Sequence, residues 1–305
     1  MTDQVLPARV LPVRMTGGEA SVTSWIGDVR EILSDLVGSR DLLFQLARRD
    51  IAIRYKQAAM GFAWAVFMPV LVALAGILVR FATAFASGRT LGGGDVGEIL
   101  VKSVPWSFFV GTIGFATGSL TGNMNLVTKV SFPREVLPLS SLLAQLLDFA
   151  VAAGIVGLLI PFFGAQLTWQ LLWVPVLLAL LLLFTAAATL FLSCANLFFR
   201  DVKYIVQTVL TFGIFFTPVF FTPAMLGRYG KYLMFNPIAP ILEGLRLTIV
   251  QGHNLLEPLT TVSHGHVLTV WTPAYLGYVA AWTFGGLVAA MVLFHRSEFT
   301  FAEYV

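Results

Sequence analysis

The chain has 305 residues, of which 57% are hydrophobic and 11% are charged, with a mean hydropathy of +0.84. This composition excludes a soluble globular protein and predicts an all-α integral membrane protein, because apolar runs near the roughly 20 residues that cross a bilayer recur along it. The net charge of +3 gives no indication of nucleic-acid binding. The single cysteine, Cys194, excludes an intrachain disulfide framework.

Residues 1–58 are expected to form a cytoplasmic tail followed by interfacial amphipathic helices. Residues 1–23 contain prolines and glycines without periodicity, which predicts a flexible tail. From Ser24 apolar residues recur at helical spacing, and a second such segment with several arginines follows Gly38. A helix with an apolar and a basic face suits the headgroup region of a membrane. The alternative is a small soluble helical hairpin.

Residues 59–305 are expected to form a transmembrane domain with six crossings. With the N-terminus inside, 13 of the 19 Lys and Arg residues lie on the cytoplasmic side, which predicts that both termini are cytoplasmic. The loop between Arg80 and Lys102, with its glycines at 92–94, is expected to be a flexible outer connector. The predicted crossings are about 61–79, 104–122, 139–162, 171–198, 204–221 and 274–294.

A short charged island, residues 123–138, separates the second and third crossings. It must lie in water or at the interface, because its backbone groups could not stay unpaired in hydrocarbon. Pro133 and Pro138 each bias the residue before them away from helical backbone conformation. Apolar residues that alternate with the charges favour a short helix that lies against another surface. Two interpretations stand: a plain connecting loop, or a docking surface where a soluble partner pushes on the membrane bundle. The candidate functional residues are Lys129, Phe132, Pro133, Arg134 and Glu135.

Asp148 lies about ten residues into the third predicted crossing. An ionisable group there is costly, so its side chain is expected to face the interior of the bundle. The apolar runs contain no basic residue to pair with it. A hydrogen bond to a hydroxyl on another helix, with the carboxyl charged or protonated, and a role in transport both remain open.

The fifth predicted crossing carries an aromatic stripe. Aromatic faces of this kind pack against helices or lipid, or line a path for sugar rings. Trp64 and Trp106 would add to such a path. The stripe consists of Phe212, Phe215, Phe216 and Phe220, predicted to share one face.

The outer segment, residues 223–273, is too broken by prolines to cross a membrane. Within it Asn236 and Pro237 are expected to begin a helix as cap and first residue, continuing to Ile249. Glu243 and Arg246 are three residues apart on that helix and can pair. The pair is either a local salt bridge or part of a gate.

No metal, nucleophile or nucleotide-binding motif is found in the sequence. The glycine triplet at 92–94 is not followed by Gly-Lys-Ser or Gly-Lys-Thr, so it is not a phosphate loop. If transport needs ATP, another chain is expected to bind it, and this chain is expected to be no enzyme.

Several motifs, in a consistent order from residue 48 to about 246, resemble the permease subunit of polysaccharide ABC exporters, which move lipid-linked O-antigen and related glycans. They are Arg49-Asp50-Ile51, Arg54-Tyr55-Lys56-Gln57, Asn125-Leu126-Val127, Phe132-Pro133-Arg134-Glu135, Arg200-Asp201-Val202, and Asn236-Pro237 with Glu243-Gly244 and Arg246.

The resemblance implies a homodimer in the bacterial inner membrane, six crossings per subunit, and two ATPase subunits that bind ATP and Mg²⁺. It implies that residues 123–138 form the coupling loop and that short re-entrant helices in 223–273 close an outer gate, with Asn236, Pro237, Glu243 and Arg246. A teichoic-acid exporter of the same family is an alternative. A membrane glycan-modifying enzyme would need grouped acidic residues, whereas Asp148 stands alone.

Overall fold

The computed structural model describes residues 25–56, 61, 63–88, 90–130, 132–263, 266–298 and 301, so the predicted flexible tail lies outside the described residues. The described chain is mostly helical. The helices are α1 (Trp25–Gly38), α2 (Arg40–Tyr55), α3 (Ala63–Ala86), α4 (Gly93–Ala116), α5 (Ser119–Gly122), α6 (Met124–Lys129), α7 (Val136–Leu159), α8 (Trp173–Phe198), α9 (Val202–Gly213), α10 (Gly230–Leu233), α11 (Ile238–Ile249) and α12 (Ala274–Glu298).

Among the described residues, five helices are long and apolar enough to cross a membrane: α3, α4, α7, α8 and α12. At 1.5 Å per residue, helices of 24 to 26 residues exceed the roughly 30 Å of a hydrocarbon core. Their apolar composition and length therefore confirm the prediction of a helical membrane protein.

The run that predicts the fifth crossing forms a shorter helix than expected. α9 and the 3₁₀ turn Ile214–Phe216 end before Thr217, which is extended (φ −127°, ψ 139°). Pro218 explains the break, because a proline disfavours the helical conformation of the residue before it. The combined helix is roughly 24 Å long, less than the hydrocarbon thickness.

The predicted start of the second crossing was wrong. α4 begins at Gly93 rather than near Val104, so the predicted flexible connector shrinks to the turn after Ala86. Asp95 stabilises the new start, since its carboxylate accepts the N–H of Gly92 at 3.0 Å at the positive end of the helix dipole. The charges of this first part had made it look unlike a membrane helix.

The outer segment contains the predicted helix and an unpredicted hairpin. α11 begins one residue later than expected, with Pro237 at its N-cap. The hairpin pairs β1 (Leu259–Ser263) with β2 (His266–Trp271) in antiparallel register, a small departure from the all-α expectation. Trp271 anchors it, because the buried indole N–H donates to the carbonyl of Leu255 at 2.9 Å. Threonine and valine at alternate positions favour this strand pair.

The two largest of three buried clusters hold most of the bundle together. One lies between α4, α7, α8 and α11 and contains Phe108 and Leu181. The other lies at the opposite end, where α1, α6, α7, α8 and the end of α12 meet around Ile32, Val127 and Phe294. The sites described next lie at or between these two clusters.

Candidate functional site

The 123–138 segment forms a short helix and a turn that leads into α7. α6 buries Val127 against the bundle, while Lys129 is exposed and Val130 is half exposed. Pro138 lies in the first turn of α7, where its missing N–H costs no helical hydrogen bond. The segment therefore has one face on the bundle and one free face, as the predicted short helix requires.

Arg134 and Glu135 point toward the end of α12. The Arg134 guanidinium donates to the backbone carbonyl of Glu298 at 2.6 Å and lies 3.7 Å from its carboxylate. Glu135 is 2% exposed, and its carboxylate lies 3.9 Å from Nδ1 of His295. Phe132 and Pro133 are partly buried in the same turn. The inner face of the segment is therefore held by α12.

Ligand atoms of Glu135, His295 and Glu298 all lie within 4.8 Å of one another, close enough to hold a metal ion. The guanidinium of Arg134 lies 3.7 Å from one of these carboxylates, that of Glu298. A cation is therefore already supplied by the chain, which makes the group an ionic contact between two segments.

Asp148 has a basic partner, contrary to the sequence-based expectation. Arg54 of α2 forms an ion pair with one carboxylate oxygen of Asp148, and the Tyr55 hydroxyl donates to the other. Arg54 also donates to Gln145 at 2.9 Å. Burial and the hydrogen bond to Asp148 raise the pKa of Tyr55 to about 12, so the hydroxyl remains a donor at physiological pH. The partner was missed because it comes from a polar helix outside the apolar runs.

A largely apolar cavity of about 410 Å³ lies beside this carboxylate, between α2, α3, α4 and α7. Trp64 and Trp106 both line it. Trp64 is 41% exposed and packs edge-on against Phe67, whereas Trp106 is 5% exposed. The two tryptophans assigned to the substrate path thus meet one cavity.

At the other end of the bundle lies an ionic cluster of six charged side chains on α3, α4 and α11. Glu98 is at its centre, accepting from Arg80 and Arg246 at 2.7 Å each. The predicted pair also forms, with Arg246 donating to Glu243 at 2.6 Å. The ion pairs join two arginines and three acids, Arg80, Asp95, Glu98, Glu243 and Arg246, and the sixth member, Lys102, is fully buried on α4.

This outer ionic cluster also satisfies the backbone where the short α9 has ended. Arg80 donates to the carbonyl of Phe220 at 2.9 Å, and the fully buried Lys102 donates to that of Phe221 at 3.0 Å. Buried carbonyls that lack a hydrogen-bond partner are costly, so the two side chains stabilise the non-helical chain. Gly76 permits the approach, since a Cβ there would come within 2.8 Å of Phe220.

The predicted gate helix α11 is almost wholly buried against this cluster. Asn236, just before it, donates to the Thr217 hydroxyl at 3.0 Å and accepts from the N–H of Ile238 at 3.3 Å. A cavity of about 780 Å³, lined by Arg80, Glu98 and Arg246 with threonines of β1, opens beside it.

The predicted aromatic stripe is not a single face. Phe212, Phe215 and Phe216 are 56–69% exposed, but Phe220 is 5% exposed and packs in a cluster with Trp106. The chain leaves helical geometry at Thr217, so Phe220 turns inward, where its ring still packs edge-on against Phe215 with centroids 6.3 Å apart. Phe212 and Phe216 instead line a cavity of about 670 Å³ with Trp106 and Asn236.

Several residues that complete these sites were not predicted from the sequence. Glu98 and Lys102 belonged to the predicted connector, and Glu298 and Phe301 lie beyond the sixth predicted crossing. For Arg54 and Tyr55 a signal existed, because both belong to a motif that carried the family resemblance.

Together, the long apolar helices and their buried ion pairs define a multi-pass α-helical membrane protein. A model of the ABC-2 type transporter family matches residues 41–250, and the chain belongs to this family. It is accordingly a transport subunit rather than the membrane enzyme considered above.

The chain is similar to curated relatives over most of its length. An "O-antigen export system permease protein RfbA" of Myxococcus xanthus is 28% identical over 245 residues, 79% of this chain and 92% of the relative. Two proteins of the same name from Klebsiella pneumoniae are 22% identical over 268 residues and 23% identical over 214. They cover 86% and 70% of this chain, and 94% and 81% of the relatives.

Proposed function

We propose that this chain is the transmembrane subunit of an ABC exporter that moves a lipid-linked polysaccharide, O-antigen or a related cell-envelope glycan, across the bacterial inner membrane. The observation that carries the proposal is the similarity, over most of both chains, to permeases named for O-antigen export. A separate ATPase subunit binds ATP and Mg²⁺ and supplies the energy.

On the cytoplasmic side of the transporter, the 123–138 segment acts as the coupling loop. Its support is the free face of α6, with exposed Lys129 and Val130, opposite an inner face tied to α12. An ATPase that docks on the free face can push on the bundle through the buried one. Lys129, Phe132, Pro133, Arg134 and Glu135 are its functional residues.

On the outer side of the transporter, the short helices of the 223–273 segment are re-entrant and close an outer gate. Its support is the set of buried charges that α11 shares with α3 and α4. Breaking that set would free α11, and Asn236, Pro237, Glu243 and Arg246 are its gate residues. The substrate path runs along Trp106, Phe212 and Phe216, with Phe215, Phe220 and Trp64 as further candidate residues of the path.

Two copies of the chain pair in the membrane, each with six crossings, of which α9 is the short fifth. Both termini are cytoplasmic. α1 and α2 lie at the cytoplasmic interface, where the basic residues of α2 meet lipid headgroups. Residues 1–58 form this cytoplasmic part, and residues 59–305 form the transmembrane domain.

A deletion strain tests the proposal. Without the gene, surface glycan should disappear while lipid-linked glycan accumulates inside the cell, and the wild-type gene should restore export. Arg134→Ala/Glu135→Ala should fail to restore it although the ATPase complex still assembles. The matched control is Arg40→Ala/Asp41→Ala, an exposed neighbouring pair 3.9 Å apart, which should export normally. Normal surface glycan in the deletion strain would refute the function.

A further inference from the structure

We propose that the end of α12 is a clamp that fixes the coupling loop, so that loop and helix move as one body when the ATPase pushes. The clamp consists of His295, Glu298 and Phe301, and they are positioning residues. The inference rests on the proposed function, since it needs an ATPase that docks on the 123–138 segment.

The first part of the clamp is polar. Arg134 contacts Glu298 at three points: its guanidinium donates to the backbone carbonyl at 2.6 Å, the carboxylate lies 3.7 Å away, and its own N–H donates to that carboxylate at 3.4 Å. The next residue, Glu135, faces His295 on the preceding turn of α12. The side chains of Arg134 and Glu298 are each about four-fifths buried, which shields the ion pair from water and salt.

The second part is apolar. Phe301 lies beyond the last residue of α12 and is 0% exposed. Its ring packs edge-on against Phe294 of α12 at 5.4 Å and Phe198 of α8 at 5.9 Å. The Arg134 guanidinium lies over the same ring at 5.8 Å. Phe301 therefore fastens the chain after α12 to α8 and supports the side of Arg134.

The clamp uses the face of the loop that packs against the bundle, opposite its exposed residues. The exposed residues of the loop are on α6 and just after it: Asn125, Thr128, Lys129 and Val130. The residues held by α12 come after them and are buried or half-buried. A push on the free face can therefore reach α12 through this contact, because coupling is carried by chains of packed side chains and ion pairs.

A neighbouring contact supplies a control. Arg296 donates to Asp28 of α1 at 3.1 Å, but its side chain is 53% exposed, so this pair contributes little. It belongs to the same end of α12 and touches the N-terminal helix, not the coupling loop.

The experiment measures one distance in the complex of the full chain with its ATPase partner. Spin labels are placed on cysteines at Thr128, which is exposed on α6, and Arg296 in a Cys194→Ala background. Labelled subunits are diluted so that pairs within one chain dominate. Pulsed distance measurements are made without nucleotide, with a non-hydrolysable ATP analogue, and after vanadate trapping. The clamp predicts the same distance in all three states. A distance that shifts between states would overturn it.

Glu298→Gln and Phe301→Ala are then added separately to the labelled chain. Each should make the distance depend on nucleotide, and export per ATP hydrolysed should fall several-fold. Glu298→Gln keeps size and shape, so it provides the test if Phe301→Ala does not fold. A nucleotide-independent distance and wild-type export per ATP in the Glu298→Gln chain would overturn the clamp. In unlabelled protein, Arg296→Gln should leave export per ATP unchanged.

The distance measurement requires no glycan. The proposed export function and the proposed clamp can therefore fail separately. A complex that hydrolyses ATP, keeps the distance constant and exports no glycan would refute the proposed substrate and support the clamp. A complex that exports glycan while the distance changes would support the substrate and refute the clamp.

Discussion

Arg54, next to the C-terminal end of α2, pairs with Asp148 halfway along α7. A second contact joins the same helices, with the Ser140 hydroxyl donating to Asp50 at 3.2 Å. Between the two contacts α7 advances about 12 Å and α2 about 6 Å. α2 therefore runs beside α7 in the same direction, and its last turn carries a cation to a carboxylate that would be costly alone.

Removing one member of this pair should destabilise the protein. Asp148→Leu leaves the Arg54 guanidinium buried without its anion, which costs about 3–5 kcal/mol. The double variant Arg54→Met/Asp148→Leu should recover most of that loss, and unfolding in detergent measures both. A double variant that is stable but does not export would assign Asp148 a role in transport. Full stability of Asp148→Leu would contradict the structural role.

Glu98 should matter more than Asp95, although both bind Arg80. The Glu98 side chain is 13% exposed and joins two arginines, whereas that of Asp95 is 30% exposed and contacts one. Glu98→Gln should lower the free energy of unfolding by about 3 kcal/mol or more. Asp95→Asn, the matched control, should cost about 1 kcal/mol or less. Equal effects would mean that α11 does not depend on the Glu98 bridge.

Leucine substitutions separate the aromatic residues by role. Phe212→Leu/Phe216→Leu changes the lining of the cavity with little loss of hydrophobicity, so export should fall while the ATPase complex still assembles. Phe220→Leu acts on a buried ring and should lower stability instead, by roughly 1 kcal/mol or more. If export is unchanged with leucine at both exposed positions, these rings contact lipid or another helix, and the path lies elsewhere.

Topology is tested by cysteine labelling from each side of the membrane. Cys194 is first replaced. A cysteine at Thr128, which is exposed on α6, should then react only with reagent on the cytoplasmic side. A cysteine at Gly265, outside the described residues, should react only from the outer side. Labelling of both positions from one side would contradict the proposed orientation.

The sequence predicted the long helices well, because each is a continuous apolar run, and it placed α11 within one residue. The prediction failed where charged residues lie within a helix that is otherwise apolar enough to cross a membrane. The start of α4 carries Asp95, Glu98 and Lys102, and a hydropathy pattern excludes such a stretch from a crossing. Only tertiary contacts reveal that the two acids pair with arginines of α3 and α11 in the bundle.

The candidate sites follow the same rule. The 123–138 segment and the Glu243–Arg246 pair are local in sequence, so spacing was sufficient to predict them. Arg54 with Asp148, and Arg134 with Glu298, join residues far apart in the chain. A single sequence does not indicate which residues far apart in the chain will pair. Phe220 was misplaced for a local reason, since Pro218 ends the helix on which its position had been counted.

The most direct measurement reconstitutes the purified chain with its ATPase partner in proteoliposomes and follows lipid-linked O-antigen glycan across the bilayer. We expect translocation only when both subunits and Mg-ATP are present, and none with the permease alone or with an ATPase unable to hydrolyse ATP. Translocation by the permease without ATP hydrolysis, or ATP hydrolysis by the complete complex that moves no glycan, would contradict this expectation.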